Sequence, residues 1–156
     1  MHELPTLDKI ELDGYVFDPG YYLGSEYLDI STASQELPPI IEWLNAKYQS
    51  FAEQKLSTEH HLKRARATAY FRLTEGGYFV ETYGTKPTQA ALGHAIELDA
   101  AVCQLEDEYA KLYAWCGRLF NLQNSLRAKL DLVRSTESTR RAMIQHSDFD
   151  NSHLTQ

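Results

Sequence analysis

The chain contains 156 residues with a formal net charge of −7, and its 43% hydrophobic and 24% charged residues are typical of one globular domain. No apolar run is long enough for a transmembrane helix, and the first residues lack the apolar core of a secretory signal peptide. Two cysteines cannot build a disulfide framework, so we expect a protein of the reducing cytoplasm with no membrane partner.

The first 33 residues are predicted to form an irregular, acidic arm. Turn signals at 13–14, 18–20 and 23–25 alternate with tyrosine and phenylalanine side chains. Residues 1–59 hold 11 acids and 3 bases. We expect an extended arm that docks its aromatic side chains on another part of the protein, and a disordered acidic tail is the alternative.

Two amphipathic helices are predicted after the arm, and they make the fold class all-α. Ser34 as N-cap and Pro38-Pro39 in the first turn predict a first helix over residues 38–73. Glycines and β-type composition predict a short extended segment or an ordered loop over residues 74–86. The second helix is predicted over residues 88–135, with Thr88 as a possible N-cap.

The apolar residues of the second helix alternate spacings of four and three through about six heptads, with Gln123 as the one polar position. A helix of that length cannot bury its apolar face inside a compact chain of this size. We therefore expect a coiled-coil-like helical hairpin over residues 34–141 that assembles into homo-oligomers of more than two chains. A mobile polar tail is expected over residues 142–156. The predicted oligomer seam consists of Leu98, Val102, Leu105, Tyr109, Leu112, Cys116, Leu119, Leu126 and Leu130.

No sequence motif indicates an enzyme. The chain has no phosphate-binding glycine loop and no nucleophile elbow. The adjacent His60 and His61 would point about 100° apart on a helix, so they cannot chelate one ion. We expect no catalysis, no cofactor and no metal site.

Basic residues are concentrated in the second half of the chain, where residues 60–141 hold 12 bases and 9 acids. Arg127, Arg134 and Arg141 recur every seven residues, so they share one edge of the second helix. Cations beside aromatic rings suit single-stranded nucleic acid, because cations bind phosphates and rings stack on bases. The candidate nucleic-acid-binding residues are Arg118, Arg127, Lys129, Arg134, Arg140, Arg141, Lys63, Arg64 and Arg66.

The same charge pattern has a structural explanation. In an antiparallel hairpin the basic end of the first helix would lie beside Glu97, Asp99 and Glu106 of the second helix. The charge asymmetry would then serve only to fix the direction in which the two helices pair. The chain would then be an oligomerisation or scaffolding protein without nucleic-acid binding. A third possibility is an acidic arm that mimics DNA and inhibits a host factor.

The segment 37–48, which reads Leu-Pro-Pro-Ile-Ile-Glu-Trp-Leu-Asn-Ala-Lys-Tyr, resembles the start of the UvsY-type recombination mediators of bacteriophages. The stretch from Glu97 to Arg134 is similar to the long second helix of that family, and the resemblance covers roughly residues 26–141. It implies a non-enzymatic phage protein in the host cytoplasm that acts as a ring-shaped homo-oligomer. Such a protein binds single-stranded DNA and loads a RecA-like recombinase onto strands covered by single-strand-binding protein. Family members are generally richer in lysine than this acidic chain.

Overall fold

The computed structural model describes residues 9–24, 30–75 and 77–153. Across these residues the chain is mostly helical, and a short β-hairpin precedes the helices. In chain order the elements are β1 (Ile10–Leu12), β2 (Tyr15–Phe17), α1 (Pro19–Leu23), α2 (Ile30–Thr74), α3 (Tyr78–Tyr83), α4 (Gln89–Glu97) and α5 (Ala100–His153).

Helix α2 packs against helix α5, which confirms the predicted pairing of two long helices. The chain forms two compact units, and both long helices contribute to each of them. Unit 1 contains the described residues up to Ala46 together with those from Leu119 onward, and unit 2 spans Lys47 to Arg118. We describe the two units separately.

The described part of the N-terminal arm is a folded hairpin in unit 1 and not the extended segment that we expected. Strands β1 and β2 pair antiparallel, with Ile10 opposite Phe17. Asp13 and Gly14 both have positive φ, as the tight primed turn of a two-residue hairpin requires. Ile10 and Phe17 are fully buried, so one face of the hairpin belongs to the core of unit 1. The arm's residues 1–8 and 25–29 lie outside the described residues.

Helix α2 begins at Ile30, earlier than the predicted start near Ser34 and Pro38. Both prolines therefore lie inside the helix, where each removes an amide donor from the preceding turn. Ala33 and Leu37 are fully buried in this turn. The two prolines by themselves favour a helix that starts at this point. The helix nevertheless starts earlier, because the burial of these two side chains stabilises helical backbone there and tertiary packing outweighs local propensity.

The segment after α2 is helical, so the prediction of a short extended segment or loop over residues 74–86 is wrong for its centre. Helix α3 lies between Gly77 and Gly84, and both glycines adopt the left-handed conformation that a side chain would disfavour. Phe79 of α3 packs with Leu73 and Leu92 in an apolar cluster of unit 2. This packing stabilises a helical turn in residues whose composition favours a strand.

The second long helix is divided into α4 and α5, which corrects the prediction of one helix over residues 88–135. Thr88 caps α4, as predicted, by accepting a hydrogen bond from the amide of Ala91. Leu98 ends α4, and Asp99 caps α5 by accepting from the amides of Ala101 and Val102 at 3.0 and 3.3 Å. Helix α5 then continues to His153, so most of the segment expected to be a mobile tail is helical.

Most of the predicted seam is buried within this single chain. Leu98 is the exception: its side chain is 77% exposed, because the break between α4 and α5 interrupts the heptad pattern at this residue. Leu105 and Tyr109 are half-buried. The six fully buried members are Val102, Leu112 and Cys116 in unit 2 and Leu119, Leu126 and Leu130 in unit 1.

Candidate nucleic-acid interface

The C-terminal part of α5 forms an exposed helical surface in unit 1. Val133 is the last buried residue of the helix for which side chains are described. From Arg134 to Gln145 every residue is exposed except Glu137, which is half-buried. Within the described part of the chain, nearly every side of this helical segment is therefore accessible to solvent.

One side of α5 in unit 1 combines cations with an aromatic ring. Arg127, Arg134 and Arg141 recur every seven residues, and Phe120 lies one heptad before them on the same side. We call these four residues the arginine edge. Phe120 is 50% exposed, and its place in the heptad series is a signal that our sequence analysis did not use.

The basic side chains of unit 1 differ in whether an acidic group already pairs with them. Arg127, Arg134 and Arg140 are exposed and form no salt bridge with any other described residue. Arg141 pairs with Glu137 one turn earlier in α5. The half-buried Lys129 donates its Nζ to the carbonyl of Gly24 at 2.9 Å, so it holds the end of α1 against α5. Arg127, Arg134 and Arg140 are thus the cations best placed to meet an external anion.

Two of the four predicted basic residues of unit 2, Lys63 and Arg66, form ion pairs. Arg66 of α2 contacts Glu106 of α5 at 2.5 Å, and Arg72 pairs with Asp99. These contacts confirm the predicted pairing of the basic end of the first helix with acids of the second. Lys63 lies 2.7 Å from Glu59, and its hydrogen bond and charge hold the pKa of that carboxyl below its ordinary value.

Asp99 is the most constrained carboxylate of unit 2. Burial raises its pKa, but the hydrogen bond from Arg72 and those from the amides of Val102 and Ala101 lower it further than burial raises it. The net pKa lies below the ordinary value, so Asp99 is ionised at neutral pH. Because Asp99 caps α5 and pairs with α2 at once, the Arg72–Asp99 contact is part of the fold and not a free cationic site.

Several aromatic side chains of unit 2 have partners within the unit. Trp115 stacks on Phe51, with ring centroids 5.8 Å apart and an interplanar angle of 12°. Arg118 lies 5.5 Å from the centre of the Trp115 ring, and Lys55 lies at the same distance from the Tyr113 ring. The Phe51–Trp115 and Lys55–Tyr113 contacts join α2 to α5, and Arg118 is engaged with a ring of its own helix. Arg64 is exposed on α2.

Among the described residues, no three histidine, cysteine or acidic side chains are arranged to hold a metal ion. Both cysteines are free thiols, with Cys116 buried and Cys103 exposed. None of the described helices combines the length and apolarity needed to cross a membrane.

A second surface, which our sequence analysis missed, lies at the hairpin end of unit 1. It is a groove lined by Tyr15, Tyr22 and Trp43, with Glu36 at its side. The tyrosine-rich arm was a signal that these rings would dock, but their partner Trp43 is distant in sequence.

Comparison of the chain with protein-family models, with curated proteins and with solved structures returns no match. Its function is therefore inferred from its own residues.

Proposed function

We propose that this chain is a non-enzymatic recombination mediator that assembles into homo-oligomers, binds single-stranded DNA through α5 and helps to load a RecA-like recombinase. Single-strand-binding protein on the same strand would be its second protein partner. The resemblance of residues 37–48 and 97–134 to UvsY-type mediators suggests this class. The structural support comes from the exposed arginines of α5 in unit 1 that form no ion pair with another described residue.

The observation that carries the proposal is the combination of Arg127, Arg134 and Phe120 on one side of α5. The two arginines are exposed and lack acidic partners among the described residues, in contrast to Arg66 and Arg72 of unit 2. Cations release condensed counterions when they bind phosphates, and an exposed ring can stack on a base of any identity. The expected binding is therefore salt-dependent and tolerant of sequence.

Assembly would compensate for the small number of cations in each chain. Two or three phosphate contacts give weak binding, but several copies on one strand act as linked sites at high effective concentration. A strand held in this way stays extended and can be transferred to a recombinase. Sedimentation should show more than two chains per particle.

The first experiment measures binding of a labelled oligo(dT) strand to the Arg127→Ala/Arg134→Ala variant between about 50 and 200 mM salt. Each phosphate contact on a single strand contributes about 0.7 to the slope of log K against log salt, so the slope should fall by about 1.4 per chain. Lys86→Ala/Lys111→Ala changes the net charge equally but removes exposed lysines of unit 2, and it is the matched control.

A second variant separates stacking from charge. Phe120→Leu should weaken binding about tenfold at every salt concentration without changing the slope, since stacking contributes about 1–3 kcal/mol per base. The control is Phe71→Leu, which removes an exposed ring of α2 in unit 2. Absence of binding at low salt, or equal loss in the arginine pair and the lysine pair, would contradict a site on α5.

The mediator role needs its own assay. On strands covered with single-strand-binding protein, the wild-type chain should shorten the lag before a RecA-like recombinase begins to hydrolyse ATP. The arginine pair variant should restore the lag, and the lysine pair variant should not.

A helical scaffold without nucleic-acid binding is the second candidate. The ion pairs Arg66–Glu106 and Arg72–Asp99 favour it, because they show that part of the charge asymmetry stabilises helix packing. Under this hypothesis the chain forms the same oligomers, and oligonucleotides do not bind at any salt concentration. The titration with oligo(dT) therefore discriminates between the two candidates.

A further inference from the structure

The hairpin end of unit 1 contains an open groove of about 550 Å³ with aromatic walls. Tyr15 of β2, Tyr22 of α1 and Trp43 of α2 line it together with the fully buried Phe17 of β2. The rings of Phe17 and Tyr22 are stacked with centroids 5.0 Å apart, and Tyr15 lies 5.6 Å from Trp43 at an angle of 56°. A volume of this size is typical of sites that take one ligand or a few side chains.

The groove also has an acidic side. Glu36, which is exposed on α2, lines it together with Pro39 and Ile40. The described residues between 9 and 46 carry five acids against one base, Lys9, and Lys9 already pairs with Asp18 at 3.5 Å. A carboxylate offers about four acceptor positions, so Glu36 can receive a ligand in addition to its contacts within the chain.

The raised pKa of the Tyr22 hydroxyl agrees with the presence of a carboxylate at the side of the groove. Burial raises the pKa of its hydroxyl, and the neighbouring Tyr15, Glu36 and Tyr21 raise it further, because a second negative charge beside them is repelled. Burial disfavours a charge of either sign, but the repulsion from the Glu36 carboxylate disfavours an anion specifically and would attract a cation. The phosphates of a nucleic acid are consequently poor ligands for this groove.

We propose that the groove binds an arginine side chain presented by an extended, basic segment of a partner protein. The planar guanidinium stacks on aromatic faces, is weakly hydrated and forms paired hydrogen bonds with a carboxylate. Aromatic rings beside Glu36 provide both interactions. The site is separate from the arginine edge and does not require that α5 bind DNA.

An extended partner segment fits the groove better than a second copy of this chain. Every arginine of the chain lies on α2 or α5, so another copy would have to present a whole helix about 10–12 Å wide. The hairpin has two strands only, so one edge of β2 has no strand partner among the described residues. Because Tyr15 and Phe17 of the same strand line the groove, a segment paired along β2 would pass directly beside it.

Trp43 is a natural reporter for this site. The chain has two tryptophans, and Trp115→Phe in unit 2 leaves Trp43 as the only one while it keeps a ring to stack on Phe51. In this background the probe is a capped glycine–serine peptide with one arginine. A matched peptide carries citrulline, which has the same shape without the charge.

The arginine peptide should change the Trp43 emission saturably, with a Kd of about 1 mM or below, and the citrulline peptide should bind at least tenfold more weakly. Glu36→Gln should weaken the arginine peptide about tenfold, and Tyr15→Leu should weaken it several-fold. Glu42→Gln removes an exposed carboxylate of the same helix outside the groove, so it should have no effect. Circular dichroism of each variant checks that the helices are intact.

Three results would overturn the proposal. The first is a lack of saturable change in Trp43 emission up to about 10 mM peptide. The second is equal binding of the arginine and citrulline peptides, or equal effects of Glu36→Gln and Glu42→Gln. The third is a change of Trp43 emission on dilution of the protein alone, together with a change of mass in sedimentation, because a second copy would then occupy the groove. Each of these results leaves the DNA titration unaffected, so failure of one proposal is distinguishable from failure of the other.

Discussion

Replacement of Asp99 by alanine should destabilise the chain more than any other single loss of an exposed or half-buried charge in unit 2. The carboxylate accepts from the amides of Ala101 and Val102 and also pairs with Arg72 of α2. The substitution therefore removes the N-cap of α5 and an interhelical ion pair at once.

The two contributions can be separated by magnitude. Loss of an N-cap to alanine costs about 1 kcal/mol, within a range of about 0.5–2. The Arg72 side chain is 57% exposed, so solvent screens the ion pair and its loss should cost about 0.2–1 kcal/mol. Asp99→Ala should thus lower the free energy of unfolding by about 0.7–3 kcal/mol. Asp99→Asn should cost only about 0.5, because asparagine is an equally good N-cap.

Urea denaturation followed by circular dichroism at 222 nm provides the test, with Arg72→Met as a third variant. Arg72→Met should cost about as much as Asp99→Asn, and the double variant should cost less than the sum of the two. Equal costs for Asp99→Ala and Asp99→Asn would refute the capping role. A cost of Asp99→Ala below about 0.5 kcal/mol would refute both roles.

The pH dependence of the Asp99 contribution has a definite sign. The pKa of Asp99 is lowered in the folded chain, so its ionised form stabilises the fold above the pKa of the unfolded state. The difference in unfolding free energy between the wild type and Asp99→Asn should be constant near neutral pH. It should shrink below about pH 4, as the pH falls through the folded-state pKa.

Three further predictions concern unit 1. Leu126→Ala should cost about 2–5 kcal/mol in urea denaturation because Leu126 is fully buried, and Leu132→Ala should change stability by less than about 0.5 kcal/mol because Leu132 is 61% exposed on the same helix. Gln123→Met should raise the free energy of unfolding by about 1 kcal/mol, since the buried Nε2 of Gln123 has no hydrogen-bond partner among the described residues; unchanged or reduced stability would indicate a partner for the amide. The raised pKa of Tyr22 means that stability is lost as the pH rises above about 10. Tyr22→Phe should reduce that loss in alkaline unfolding, with Tyr78→Phe, an exposed tyrosine of unit 2, as the control.

The sequence by itself determined the parts of the fold that depend on period and charge. Spacings of four and three identified most of the residues buried between Val102 and Val133, because a helix places such positions on one face whatever it packs against, but the series did not include the buried Leu122. Charge asymmetry predicted that Arg66 would meet Glu106, since opposite charges fix the direction of helix pairing. The two positive-φ positions at Asp13-Gly14 are likewise a local property of the chain.

Only the tertiary structure decided where the helices begin and end. Helix α2 begins at Ile30, before its two prolines, because Ala33 and Leu37 are buried. No local pattern in the sequence predicts that burial. The helix is interrupted at Asp99. The hydrogen bond by which Asp99 caps α5 and its ion pair with Arg72 together stabilise the break more than one further turn of continuous helix would. Local propensities against helix at these positions reach about 3 kcal/mol for each interior proline, and only tertiary packing can outweigh them.

The candidate sites divide in the same way. The arginine edge lies on one helix, so a spacing of seven residues was enough to propose it, but the sequence could not show which arginines are already paired. The aromatic groove brings Tyr15 and Tyr22 to Trp43, and these residues belong to three different elements. Their proximity depends on how the hairpin and α1 dock on α2, which is a property of the folded unit and not of any local pattern.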